Sequence, residues 1–158
     1  MNAWLAASPA SIDHAWIDHN GHAHLPCYTV LFIRAISEAM DHLGIGAAYT
    51  ARGRGTFFGA ENHVRYLGEL RADDVVRVKL CLVNCDTKRL HWGAHMTSGD
   101  CGRIAATFEL LSLHVEQATR RVVPMPDAIF ESARDLHMRQ QGVGPFGAEW
   151  RLDLNRRR

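Results

Sequence analysis

The feature that most restricts the fold of this chain is one long apolar segment, residues 25–43, which begins beside a proline and ends beside a glycine. Pro26 suits the first helical turn, where the missing N–H of proline removes no hydrogen bond. Gly44 suits the position just after a helix, and His24 or Leu25 would be the N-cap. The apolar positions recur at helical spacing: Val30, Leu31, Ile33, Ile36, Met40 and Leu43. We therefore predict a helix whose broad apolar face is largely buried.

Most of the remaining chain alternates between apolar and polar residues with period two, which is typical of strands. The predicted strands are residues 11–17, 53–70, 75–83, 90–97, 103–115 and 121–123, followed by a helix at 126–140. Gly55, Gly59 and Gly68 indicate bulges or bends in the second strand. Short turns between consecutive strands favour an antiparallel sheet, whose apolar face needs a cover. The predicted fold class is α+β, with a curved antiparallel sheet wrapped around the long helix.

Composition limits the kind of protein. The 158 residues fit one domain, with a core at about 10–124 and a closing helix and tail at 125–158. A formal net charge of +1, with no basic face beyond the tail at 156–158, predicts no nucleic-acid partner. No apolar run reaches the roughly 20 residues of a membrane span, and no secretion signal is recognisable, so a cytoplasmic location without membrane contact is expected. Reduced thiols are expected at all four cysteines: Cys27, Cys81, Cys85 and Cys101.

A polar turn, Asp18-His19-Asn20-Gly21-His22, leads into the long helix. Together with the predicted architecture, this fragment resembles the hotdog-fold thioesterases of the branch that includes 4-hydroxybenzoyl-CoA thioesterase. That branch often reads Asp-x-x-Gly-His at the mouth of its central helix, followed by Asn and a later Tyr. Here Tyr28 is present, but His24 stands where the branch usually has Asn. The segment 86–91, followed by His114, also resembles thioesterases of carnitine breakdown, which act on betainyl-CoA.

The resemblance, which covers about residues 10–124, implies an acyl-CoA thioesterase that releases a free acid and CoA. It implies no cofactor beyond the coenzyme A of the substrate, and a homodimer or homotetramer with its site at the subunit interface. Asp18 would attack the thioester as a nucleophile or act as a general base on water. The backbone N–H of Leu25, at the positive end of the helix, would polarise the carbonyl. Gly21 would allow close approach to the thioester, and His22 would orient Asp18 or Asn20 or pack structurally.

Further residues are candidates for substrate binding, each with a structural alternative. Asn20 and Tyr28 would line the site, and His24 would either bind substrate or cap the helix. Glu61 and His63 would reach a partner subunit's site or form a solvent-facing pair on their strand. Arg89, with His91 and His95, would contact the CoA phosphates or lie exposed on a strand. An aromatic cage for a quaternary ammonium group would draw on Trp16, Phe57, Phe58 and Trp92.

Four alternatives stay open. Asp18 would simply cap the turn if the site were not catalytic. A hotdog dehydratase would use an acidic residue on the central helix, and Glu38 is the candidate. A binding domain would hold acyl-CoA without cleaving it. A zinc site would have to use His14, His19, His22 and His24, crowded into one turn, and no metal is predicted.

Overall fold

The computed structural model describes residues 4–99, 102–142 and 150–154. One antiparallel sheet contains six strands, namely β1 (Leu5–Ala6), β2 (Ala10–Ser11), β3 (Gly55–Tyr66), β4 (Val75–Cys85), β5 (Arg89–Ser98) and β6 (Arg103–Glu116). The strand order is β1-β4-β5-β6-β3, and β2 also pairs with β4. Three helices accompany the sheet: α1 (Leu25–His42), α2 (Ala47–Ala51) and α3 (Asp127–Arg139). The predicted curved sheet with one long helix on it is therefore the architecture of the chain.

The long helix α1 has the boundaries that proline and glycine predict. His24 occupies the N-cap position, although its side chain makes no capping hydrogen bond. At the other end Gly44 has φ of 73°. Its N–H donates to the carbonyl of Asp41 at 3.0 Å, and the N–H of Ile45 donates to that of Met40 at 2.9 Å. These two bonds form a Schellman motif, which needs a left-handed residue and so explains the glycine.

The buried face of α1 differs from the predicted face. Phe32 stacks on Phe108 of β6 with ring centroids 4.9 Å apart. The buried residues of α1 are Cys27, Tyr28, Leu31, Phe32, Ala35, Ile36 and Ala39. The prediction that Val30 and Ile33 belong to this face is wrong, since they are 46% and 39% exposed. A helix turns 100° per residue, so a contact stripe centred on residues 28, 32, 35 and 39 leaves residues 30 and 33 on the opposite side.

A β-bulge in β3 decides which of its residues face α1. The register against β6 shifts between Gly59 and Glu61, which confirms the predicted irregularity at Gly59. Beyond the bulge, Tyr66 contacts Tyr28 of α1, and its neighbours on the same face are Asn62 and Val64. The residues between them project from the outer face of the sheet. One inserted residue exchanges the two faces of everything that follows it.

Several minor elements also differ from prediction. Of the predicted strand at 11–17, only Ser11 lies in a strand, because Asp13 accepts a hydrogen bond from the N–H of Ala15 and caps a short 3-10 helix (His14–Trp16). The helix α2 was not predicted. The predicted strand at 121–123 forms only a single bridge, between Val115 and Val122. Gly68 lies in the loop after β3.

The closing helix α3 lies against β4. Its His137 contacts the carbonyl of Leu82 at 3.1 Å, and the side chain of Gln140 accepts the N–H of Leu82 at 2.8 Å. These contacts occupy backbone groups of β4 beyond the short stretch that β1 and β2 pair, which leaves less of this strand open to another chain.

Three of the four cysteines lie in the described part of the chain. Cys27, Cys81 and Cys85 are free thiols, and burial raises the pKa of Cys81 to about 12. The predicted thiol at Cys101 and the arginine tail at 156–158 lie outside the described residues. Over the described ranges, no helix combines the length and the apolar character that crossing a membrane requires.

Candidate active site

The polar turn before α1 is a tight hairpin. Asp18 donates its N–H to the carbonyl of His22 at 2.9 Å, and its own carbonyl accepts the N–H of Gly21 at 3.0 Å. A bridge between Ile17 and Ala23 continues the pairing toward the helix. Gly21 has φ of 80°, and this left-handed conformation by itself accounts for a glycine here. The hairpin therefore fixes Asp18 beside the N-terminus of α1.

The carboxylate of Asp18 is held by the turn that it starts. Its Oδ1 accepts the backbone N–H of Asn20 at 2.8 Å and lies 3.5 Å from the N–H of His22, while the Asn20 side-chain amide lies 3.5 Å from Oδ2. Chiefly because of the Asn20 N–H, the pKa of Asp18 is lowered from its ordinary value of 3.8. The capping role is thus present in the structure. Among the residues that the structure describes, Oδ2 has only the long contact to Asn20, so an ionised oxygen is available for chemistry.

The N-terminus of α1 offers the predicted hydrogen-bond donor. Within the described part of the chain, the N–H of Leu25 has no acceptor, while that of Cys27 donates to the carbonyl of His24 at 2.9 Å. Pro26 has no N–H to contribute. Leu25 is three positions after His22, which lies opposite Asp18, so at most about 10 Å of chain joins their backbones. This short connection keeps the N–H of Leu25 and the hairpin that carries Asp18 at the same end of α1.

An apolar depression lies against this end of α1. Its volume is about 620 Å³, which falls in the range of ligand sites. The lining residues are Leu25, Pro26, Thr29, Val30, Ile33, Arg34 and Tyr66. Val30 and Ile33, misassigned to the core by sequence, therefore form the floor of this surface. Tyr66 was not among the predicted site residues, and only the bulge at Gly59 could have placed it here.

His22 and Tyr28 both contact the loop after β3. The imidazole Nε2 of His22 lies 2.9 Å from the carboxylate of Glu69. The hydroxyl of Tyr28 donates to the carbonyl of Gly68 and accepts the N–H of Leu70, both at 3.0 Å. His22 thus meets Asp18 through its backbone rather than its ring, and the hydroxyl of Tyr28 already has two partners inside the protein.

Glu61 and His63 lie away from the hairpin. The register of β3 places both on the outer face of the sheet, where His63 Nδ1 is 3.6 Å from the carboxylate of Glu109. Asp18 and α1 are on the other face. The alternative of a pair on the outer face of the sheet therefore fits the geometry of one subunit, and a role in a partner subunit's site stays a prediction. Asn62 lies on the α1 side.

The predicted phosphate contacts divide between exposed and buried groups. Arg89 pairs with Asp86 in the turn between β4 and β5, where its Nε is 2.6 Å from the carboxylate. It stands opposite Leu113, seven residues along β6 from the partner of Tyr66, so about 24 Å of strand separates it from the Asp18 end. The same role for His91 and His95 is wrong, because both are buried.

The surroundings of Trp92, Glu38 and His14 bear on three other predictions. Trp92 is fully buried and cannot belong to an aromatic cage. Glu38, the dehydratase candidate, accepts the N–H of Ser8 at 2.8 Å and lies about 20 Å along α1 from its N-terminus. His14 contacts Asp73 at 3.1 Å, and among the residues described no group of three or more His, Cys, Asp or Glu is arranged to hold a metal ion.

Comparisons with known proteins agree with this architecture. The model of a family described as the thioesterase-like superfamily matches residues 12–132. An L-carnitine dehydrogenase/betainyl-CoA thioesterase of Agrobacterium fabrum is 31% identical over 141 residues, covering 89% of this chain and 29% of that protein. A betainyl-CoA thioesterase of Pseudomonas aeruginosa is 29% identical over 136 residues, covering 82% and 85%. A Staphylococcus aureus protein solved in complex with CoA is 26% identical, with a TM-score of 0.80 over 86% and 85% of the two chains.

These likenesses confirm the predicted hotdog architecture. The share of each related protein that this chain covers differs. The chain spans about three tenths of the length of the Agrobacterium relative, and most of the length of the other two proteins.

Proposed function

The chain belongs to the thioesterase-like superfamily, and on this premise we propose that it hydrolyses an acyl-CoA thioester to a free acid and CoA. One observation carries the proposal. An ionised carboxylate, Asp18, lies in the hairpin that leads into α1, and the N–H of Leu25, which lines an apolar depression, has no acceptor among the described residues. A carboxylate and an oxyanion donor are the two groups that thioester hydrolysis requires.

The proposed reaction starts with the thioester oxygen accepting the N–H of Leu25. One such donor at a site of developing negative charge contributes about 3–4 kcal/mol to the transition state. In the nucleophilic route, an oxygen of Asp18 bonds to the carbonyl carbon, the C–S bond breaks, and the CoA thiolate leaves and takes a proton from water. Water then hydrolyses the mixed anhydride and restores the carboxylate. The reaction draws on no group beyond the coenzyme A of the substrate.

In the alternative route, Asp18 removes a proton from water, which attacks the carbonyl carbon directly. The lowered pKa of Asp18 keeps this carboxylate ionised, which both routes require. Trapping with hydroxylamine under single-turnover conditions distinguishes them. The nucleophilic route leaves a hydroxamate on Asp18, and its absence at full turnover would favour the base.

A short acyl group with a quaternary ammonium is the proposed substrate, since two of the relatives carry betainyl-CoA thioesterase in their names. Two features of this chain support it. Tyr66 presents an exposed ring beside the depression, and aromatic rings attract such cations. Asp18 supplies negative charge at this end of α1, whereas Arg34 lies farther along the depression. The cation would therefore bind at the Asp18 end.

A homodimer through β3 is proposed. β3 ends the strand order, so among the described strands it pairs with β6 alone, and such an edge favours addition of another strand. Beside it the exposed apolar residues Leu25, Val30, Ile33 and Tyr66 form a continuous surface. Antiparallel pairing about a two-fold axis would set the Gly55 end of one copy next to the Tyr66 end of the other. Each site would then gain groups from the second copy.

A thiol-release assay tests the proposed function. Betainyl-CoA, acetyl-CoA and an aromatic acyl-CoA are compared at equal concentration, and betainyl-CoA is expected to be cleaved fastest. Faster cleavage of another substrate would overturn the acyl-group proposal alone. If none were cleaved while calorimetry showed binding of CoA, the chain would be a binding domain instead of an enzyme.

A further inference from the structure

Glu69, in the loop between β3 and β4, contacts the candidate site without belonging to any predicted set of site residues. One oxygen of its carboxylate lies 2.9 Å from Nε2 of His22 and 3.7 Å from a guanidinium nitrogen of Arg71. The His22 side chain is 33% exposed, and the Glu69 side chain is 57% exposed. Exposed ion pairs contribute little to global stability, so the effect of this contact is expected to be local.

The backbone around Glu69 is fixed from two directions. The hydroxyl of Tyr28, in the first turn of α1, bonds the carbonyl of Gly68 and the N–H of Leu70 and so spans the Glu69 residue. The guanidinium of Arg103, at the start of β6, donates to the carbonyl of Glu69 itself at 2.8 Å. An otherwise irregular loop is thereby tied to the helix and the sheet. The Glu69 carboxylate is therefore attached to a fixed backbone.

The other end of the contact leads directly to Asp18. His22 is the residue opposite Asp18 in the hairpin, and their backbones are joined by the 2.9 Å bond from the N–H of Asp18. The N–H of His22 in turn lies 3.5 Å from the Asp18 carboxylate. Next along the chain, the N–H of Ala23 donates to the carbonyl of Leu70 at 2.8 Å. The hairpin is thus attached to the same loop by one backbone bond and one side-chain contact.

We infer that Glu69 is a positioning residue for Asp18, acting through the imidazole of His22; the inference rests on the proposed function only for its effect on turnover. The hydrogen bonds of Tyr28 and Arg103 fix the loop that carries Glu69, and the Glu69 carboxylate fixes the imidazole of His22. The position of His22 then determines where the Asp18 turn lies relative to the N-terminus of α1. Without the carboxylate, the hairpin keeps its bond through Ala23 but loses the contact beside Asp18. The carboxylate then occupies its reactive position for a smaller fraction of the time.

Three variants test this inference: Glu69→Ala, Glu69→Gln and, as a control, Arg71→Ala. The control removes the other partner of Glu69 and leaves the His22 contact intact. Glu69→Ala should lower kcat about fivefold, the rate equivalent of an exposed ion pair, with KM changed less than twofold. Glu69→Gln keeps an acceptor for an imidazole N–H and should retain most of the activity, while Arg71→Ala should match the wild type. In an Asp18→Asn background, Glu69→Ala should cause no further loss.

A structural measurement separates this inference from the proposed function. In ¹⁵N–¹H spectra, Glu69→Ala should shift the backbone amides of Asn20 and His22, which donate to Asp18, and Arg71→Ala should leave them in place. If these amides did not move, or if Glu69→Ala turned over at the wild-type rate, the positioning role would be overturned. If the wild type cleaved no acyl-CoA, the proposed function would fail, and the amide shifts would still decide whether Glu69 positions the turn.

Discussion

Replacing Glu109 with Gln tests the buried polar network on the outer face of the sheet. Glu109 is 4% exposed, and its carboxylate lies 3.0 Å from Nε2 of His91. It also accepts the backbone N–H groups of Arg151 and Leu152, both at 2.9 Å. Burial raises the pKa of this carboxyl, but the His91 bond and the two N–H bonds outweigh burial, so the pKa lies below its ordinary value of 4.5.

The expected loss of stability follows from the difference between an amide and a carboxylate. Gln retains one acceptor oxygen, loses the charge, and sets an NH₂ group among donors. A hydrogen bond to a charged group contributes about 1.5–3 kcal/mol, and one or two of the three bonds would be lost or weakened. We expect the free energy of unfolding to fall by about 3 kcal/mol, which for a chain of this length lowers Tm by about 6–12 °C.

Urea denaturation at pH 7 measures the change, and Glu131→Gln on the exposed side of α3 is the matched control. The control should change the free energy of unfolding by less than about 0.5 kcal/mol. Because a carboxylate with a lowered pKa stabilises the fold above its unfolded pKa, the gap between wild type and Glu109→Gln should persist above pH 4.5. It should close as the pH falls through the lowered pKa of Glu109. Equal stability of Glu109→Gln and Glu131→Gln at pH 7 would refute this reasoning.

Three further predictions concern the α1 end of the molecule. Tyr28→Phe removes the hydroxyl bridge to the loop after β3, so the free energy of unfolding in urea should fall by about 1–3 kcal/mol, and no change would contradict the bridge. Because the pKa of Asp18 is lowered, the acid limb of kcat/KM should lie below pH 3.8 wherever circular dichroism shows a folded protein; a limb above pH 5 would exclude Asp18 as the titrating group. Ile33→Asp should halve the mass measured by light scattering, while Ser132→Asp on α3 should not; an unchanged mass for Ile33→Asp would exclude this surface from the dimer.

Those features that depend on local chemistry could be predicted from the sequence. Pro26 and Gly44 set the ends of α1 because the conformations they require occur at helix ends. The hairpin at Asp18 follows from residues that favour turns, with Gly21 at the left-handed position. Both kinds of signal act over a few residues, so neighbouring sequence determines them.

Distant contacts decide the features that the sequence could not predict. Whether Ile33 or Phe32 faces the sheet depends on the rotation of α1, and both are apolar, so composition cannot choose. The outward direction of Glu61 and His63 depends on where the single extra residue of the bulge falls in β3. Glu69 carries no signal in its own neighbourhood, because its contact with His22 comes from a residue 47 positions earlier in the chain.

The most direct test of the account is the turnover of Asp18→Asn. Amide and carboxylate have the same shape, and an amide oxygen can still accept the N–H of Asn20, so the turn should persist and the melting curve should stay close to that of the wild type. With the best acyl-CoA, thiol release should fall about 100- to 10,000-fold, the usual contribution of such a group. Asp73→Asn, an exposed substitution of the same kind, should keep the wild-type rate. Equal rates for Asp18→Asn and the wild type would contradict the assignment of this carboxylate.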